Sequence, residues 1–141
     1  MYAAELKSKF SCDLWTQSEI SAKRYHLRHW PGESKSGLGK TKIHFGSNSG
    51  YQAVNLAYLL GAKKIILLGY DMQTDGDQVH FFGKHPYHQR SGSPSNSLMK
   101  DWCEKFIALA RDLKQEGVEV INATRKTALT AFDHKELESL C

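Results

Sequence analysis

Leu60-Gly61-Ala62-Lys63-Lys64-Ile65-Ile66-Leu67-Leu68-Gly69-Tyr70-Asp71 carries the fold. Gly61 is placed to stop a helix in a left-handed conformation. The unbroken apolar run Ile65-Ile66-Leu67-Leu68 fits a strand covered on both faces, and Gly69-Tyr70-Asp71 turns the chain out of it. Upstream, residues 41–45 read as a strand, followed at once by Gly46-Ser47-Asn48-Ser49-Gly50. Residues 51–60 then read as a helix, with Ala53, Leu56, Ala57 and Leu60 at helical spacing. Strand, polar turn, helix and strand form a βαβ unit, whose crossover is expected to be right-handed.

Downstream, residues 70–97 carry Gly76, Gly83, Gly92, Pro86, Pro94 and three histidines, with no regular pattern. A loop of that length inside a compact domain is usually functional or mobile. A strong helix follows over 98–115, striped by Leu98, Trp102, Phe106, Leu109 and Leu113. Gly117 ends it, residues 118–121 form a third buried strand, and 135–140 form a short terminal helix. The first 40 residues are irregular. Tyr2, Leu6 and Phe10 suit one side of a helix over 2–10, and residues 12–15 and 25–30 read as short extended segments. Pro31-Gly32-Glu33-Ser34-Lys35-Ser36-Gly37-Leu38-Gly39-Lys40 reads as a flexible surface loop by composition. It imitates a phosphate loop but fails the pattern. Leu38 stands where the lysine belongs after Gly37, and Ser34 where Gly39-Lys40-Thr41 needs its first glycine.

The 141 residues, 40% hydrophobic and 24% charged, suit one globular α/β domain with a basic irregular region at 1–40 and a long loop at 72–97. No run approaches the roughly 18 apolar residues of a membrane span, and the N-terminus lacks a signal-peptide pattern. Cys12, Cys103 and Cys141 form neither a disulfide framework nor a paired metal motif, which points to reduced thiols and a cytoplasmic setting. The formal charge of +4 is concentrated before residue 43. That would attract an anionic nucleotide, while no nucleic-acid-binding motif is evident.

An open parallel sheet binds ligands beyond the carboxyl ends of its strands. Three polar groups map there: the turn Gly46, Ser47, Asn48, Ser49 and Gly50, then Asp71, and Asn122. The turn's glycines allow close approach, and the amides that open the next helix can receive phosphate or carboxylate. Ordinary capping by Asn48 or Ser49 is the competing explanation. Asp71 suits a ligand hydroxyl, a metal or a structural turn. Calcium is disfavoured, because Asp71, Asp75 and Asp77 lack the rest of the loop pattern. His80, His85 and His88 offer a general base in the long loop; zinc is disfavoured by their spacing and by the lack of a nearby cysteine.

Several segments carry a resemblance. They are Asn48-Ser49-Gly50 with Ala53 and Asn55-Leu56-Ala57, the stretch from Leu60 through Asp71 to Met72, His80-Phe81-Phe82-Gly83, and His85-Pro86. Trp102 with Phe106, Val120-Ile121-Asn122-Ala123-Thr124 and Trp15-Thr16-Gln17 complete them. With these the chain resembles a group of Rossmann-like proteins common in bacteriophages and prophages. That group is distantly similar to bacterial sialyltransferases and to the archaeal 6-hydroxymethylpterin diphosphokinase family.

The resemblance implies a three-layer Rossmann-like domain with a mainly parallel sheet. It also implies a nucleotide-sugar site at Asn48, Ser49 and Gly50, and a proton-transferring His80 or His85. Relatives open with a glycine-rich strand-turn that this sequence lacks, so the first βα unit is expected to be missing. Self-association would compensate for the lost cover. The expected activity is glycosyl or sialyl transfer from a nucleotide-activated donor to an acceptor hydroxyl. The alternatives are a non-catalytic accessory protein binding a nucleotide or a host protein, and a diphosphokinase using Mg²⁺ and carboxylates.

Overall fold

The computed structural model describes residues 11–74 and 95–140. The expected helix at 2–10, most of the long loop, and His80, His85 and His88 lie outside the described residues. Chain order is β1 (Trp15–Thr16), α1 (Glu19–Tyr25), β2 (Arg28–His29), β3 (Gly32–Glu33), β4 (Ile43–His44), α2 (Ser49–Leu59), β5 (Lys64–Leu67), α3 (Asn96–Gln115), β6 (Glu119–Asn122), β7 (Asp133–His134) and a 3₁₀ turn at Leu137–Leu140. The result is a mixed α/β chain with small parallel sheets, ordered β1-β2, β3-β4 and β5-β6-β7.

The βαβ expectation needs correction. Strand β4 pairs with Gly32–Glu33 rather than entering the sheet of β5. Parallel neighbours joined through a helix are instead β1–α1–β2 and β5–α3–β6, the latter with Lys64 opposite Glu119 and Leu67 opposite Asn122. Region 25–30 also divides, because Ser18 caps a short helix by accepting the Ser21 amide. That helix runs to Tyr25 and leaves only Arg28 and His29 extended. The expected terminal helix at 135–140 is reduced to the 3₁₀ turn.

Helix faces differ from the expected stripes by about one position. On α2 the buried residues are Tyr51, Val54 and Asn55, whereas Ala53 and Leu60 are exposed. On α3 Met99 is buried where Leu98 was expected, and Phe106, Leu109 and Leu113 hold as read. Long side chains lean toward the helix N-terminus, so Tyr51 and Tyr58 cover surface that short alanines cannot reach.

Tyr51, Val54, Phe106, Leu109, Leu113 and Leu67 join one cluster, with Ile65 and Val120 packed against it. Side chains alternate across a strand, so Ile66 and Leu68 face the other way. They are 42% and 57% exposed. The run Ile65–Leu68 is therefore covered on one face only along β5. Its continuous apolar character mimics a doubly buried strand because its outward residues are apolar too.

Residues 32–40 are not a free surface loop. Leu38 and Gly39 are buried, and the fully buried Asn55 of α2 holds them. Asn55 Oδ1 accepts the Gly39 amide at 3.0 Å and the His44 amide at 2.9 Å, while Nδ2 donates to the Gly39 carbonyl at 2.8 Å. Tyr51 donates its hydroxyl to Gly37 O at 2.8 Å, and Asp112 Oδ2 accepts the Leu38 amide at 3.0 Å. Burial pushes the Tyr51 phenol up to about 12, so it stays a donor. A side chain at Gly39 would place Cβ 1.9 Å from Lys42 O; this glycine serves close packing, not a phosphate.

Candidate functional site

A polar turn, the exit of a strand and the start of a helix converge on one open pocket of about 390 Å³. That lies within the span of small-molecule clefts, roughly 300–1,000 Å³. Asn48, Ser49 and Gly50 line one side, Tyr70 and Asp71 the second, and Met99 and Trp102 the third.

The turn is built by backbone geometry. Gly46 and Ser47 both adopt left-handed φ, 53° and 59°. Asn48 then becomes the N-cap of α2, and its Oδ1 accepts the Tyr51 amide at 3.1 Å. Capping therefore occupies one acceptor of Asn48, as its competing explanation required. Among the described residues, the Ser49 and Gly50 amides find no protein acceptor. These are the orphan donors every helix start presents, here at a pocket wall. Tyr70 locks the turn to the exit of β5 by donating to Gly50 O at 3.0 Å. Burial raises the Tyr70 phenol, which preserves that donor role. Any Cβ at Gly50 would stand 2.8 Å from the Tyr70 ring.

The exit of β5 is fixed from the other side. Thr124 Oγ1 accepts the Tyr70 amide at 2.9 Å, Thr127 donates to Tyr70 O at 2.6 Å, and the Ala128 amide donates to Asp71 O at 2.8 Å. Asp71 keeps its backbone in that lattice while its exposed side chain lines the pocket. Met72 follows with φ 50°, a conformation that is uncommon for a residue with a Cβ. The left-handed Ser47 and Met72 thus flank the site.

Not every expected residue reaches it. Asn122 is fully buried; its Nδ2 donates to Thr127 Oγ1 and Leu129 O, and its Oδ1 accepts the Thr124 amide. It shapes the turn that holds Tyr70 and does not line the pocket. Ser47 also points elsewhere, its Oγ accepting from Lys105 at 3.1 Å. Lys105 is paired with Asp101 at 2.6 Å, so a cation sits beside the start of α2 but shares its charge. Gly46 is buried under the Tyr51 ring, 2.4 Å from where its Cβ would be. His80 and His85 lie outside the described residues.

Two contributors escaped the sequence reading. Both belong to segments that carry the resemblance, yet the sequence presents Tyr70 as part of a turn and Trp102 as a member of an apolar stripe, neither as a site residue. In the structure Trp102 lines the pocket, and its buried indole Nε1 has no hydrogen-bond partner among the described residues. An unsatisfied buried donor costs on the order of 1–3 kcal/mol, and native structures rarely leave one without a reason. The tryptophan's position within the first two turns of α3, the helix that follows the long polar loop, was the signal available in the sequence.

Among the described residues no helix is long and apolar enough to cross a membrane, and no group of three or more His, Cys, Asp or Glu side chains is placed to hold a metal. Comparison of the chain with protein-family models, curated proteins and solved structures returned no match.

Proposed function

We propose that this pocket binds a nucleoside phosphate and serves as the donor site of a Rossmann-like glycosyl- or sialyltransferase. The observation that carries the reading is the Trp102 indole N–H, without a partner among the described residues, in the wall of a pocket that also holds helix-start amides with no acceptor among those residues. A phosphate would lie over the Ser49 and Gly50 amides, where the helix dipole favours negative charge. An oxygen or ring nitrogen of the base or sugar would accept from Trp102, and Asp71 would accept from sugar hydroxyls.

In the transfer step the acceptor oxygen forms a bond to the sugar's anomeric carbon as the bond to the donor phosphate breaks. The electron pair leaves with the nucleotide. His80 or His85 takes the acceptor's proton, and the amides of α2 stabilise the departing phosphate.

The phosphoryl-transfer alternative is less well served, because it requires carboxylates around Mg²⁺ and Asp71 is the one carboxylate lining the pocket among the described residues.

Titration of the full chain with CMP, CDP and a CMP-sugar, followed by calorimetry, tests the site. Binding is expected, with slowed amide exchange at Ser49 and Gly50. Trp102→Phe should weaken binding about ten-fold, near the value of one lost hydrogen bond. It should leave folding stability unchanged or slightly higher, because it removes an unpaired donor. A chain that binds none of these nucleotides would overturn the proposal. Binding without turnover, unaltered in His80→Ala and His85→Ala, would favour the non-catalytic accessory reading instead.

A further inference from the structure

Strand β5 is an edge strand of its sheet among the described residues. The bonds from the Glu119 amide to Lys63 O and from the Ala123 amide to Leu67 O fix its phase. In a parallel ladder alternate residues bond to one neighbour, so Lys63, Ile65 and Leu67 face β6. The N–H and C=O groups of Lys64, Ile66 and Leu68 point the other way, along the open edge. The same residues carry the outward side chains, with Ile66 and Leu68 largely exposed. Leu137, 39% exposed, lies beside Leu68 on that face.

Such an edge accepts another strand, and its charges select which one. The start of β5 carries Lys63 and Lys64, with Glu119 3.5 Å from Lys64. The far end, around Leu68, is flanked by Asp71, Glu136 and Glu138 with Arg125. One end is net basic and the other net acidic. Antiparallel pairing with an identical strand brings unlike ends together, whereas parallel pairing stacks like on like.

We infer that β5 pairs antiparallel with β5 of a second copy, about a twofold axis at Ile66. Ile66 then faces its own mate in a hydrogen-bonded pair, and Lys64 faces the partner's Leu68. Every outward backbone group of the edge gains a partner. The outward side chains of Ile66 and Leu68 form a continuous apolar seam with those of the second copy, and Lys64 reaches the acidic rim. This is an isologous contact of the kind closed dimers use.

Sedimentation equilibrium of the full chain from low to high micromolar concentration tests it. The expected mass rises with concentration toward twice the 16.0 kDa of one chain. Ile66→Lys, which sets two lysines face to face on the axis, should leave monomers with unchanged circular dichroism. Lys64→Glu should weaken the dimer about ten-fold, and adding Glu138→Lys to it should restore association. A wild-type chain that stays monomeric throughout would overturn the proposal. So would a dimer indifferent to Ile66→Lys, or a charge-swapped pair that fails to recover.

Discussion

Two glycine-rich segments, residues 37–40 and 46–50, lie close together in this chain and meet opposite fates. Gly37-Leu38-Gly39-Lys40 most resembles a phosphate loop in composition, yet its amides are spoken for: Asp112 accepts from Leu38, and Asn55 accepts from Gly39. Gly46-Ser47-Asn48-Ser49-Gly50 matches no named motif, yet among the described residues the Ser49 and Gly50 amides remain open beside a pocket. Glycine content alone does not make an anion site. What decides is whether nearby side chains consume the amides first.

If that contrast is right, substitutions around the closed loop cost stability and those at the open turn cost ligand binding. The largest effect is expected at Asn55. Replacing it by alanine leaves the buried amide and carbonyl of Gly39 and the part-buried amide of His44 without this partner, at about 1–3 kcal/mol for each fully desolvated group. A total loss of about 3 kcal/mol or more should appear in urea unfolding. A loss below about 1 kcal/mol would mean that the loop finds other partners and is not clamped. At the open turn, Asn48→Ala removes the α2 cap and should cost about 1 kcal/mol, with nucleotide affinity falling as the helix start frays.

The Asp112 clamp should add a pH signature. Burial raises its carboxyl pKa, but the Leu38 amide and Arg111 outweigh burial and hold it below the usual value. A depressed carboxyl pKa contributes stability that is present above the unfolded value of about 3.9 and is lost as pH falls through the folded one. Acid unfolding of the wild type should therefore show a pH-dependent component below about pH 4, and Asp112→Asn should lack it. An identical acid profile in the variant would remove Asp112 from the clamp.

The sequence made some of this legible. Gly61 and Gly117 end their helices at left-handed φ, and α3 and β6 fall within about two residues of their expected limits, because their periodicity is strong. Asn55 was harder to read, since one polar residue in an apolar run gives no hint of which distant amides it will bond. The two-residue strand β3 depends on β4 for its pairing, so nothing local announces it. Asn48, Ser49, Gly50 and Asp71, which line the candidate pocket, stand out in the sequence through their positions at element ends. Asn122 shares such a position, but its side chain is consumed by the turn it begins. That depends on the placement of Thr127 and Leu129, not on local pattern.

The smallest change in stability belongs to the most informative variant. Ser49 is the first residue of α2, and Asn48 before it sits at φ −146°, ψ 132°, the extended conformation that tolerates a following proline. Proline is well accepted at a first helical position, where its missing N–H had no helical partner to lose. Ser49→Pro should therefore leave the unfolding midpoint nearly unchanged while removing one of the two amides offered to the pocket. Calorimetry should then show weaker nucleotide binding, by about the several-fold to ten-fold of one hydrogen bond to a charged group. If Ser49→Pro binds as tightly as the wild type, the open amides are only an unclosed helix end. The two glycine-rich segments would then differ in packing and not in purpose.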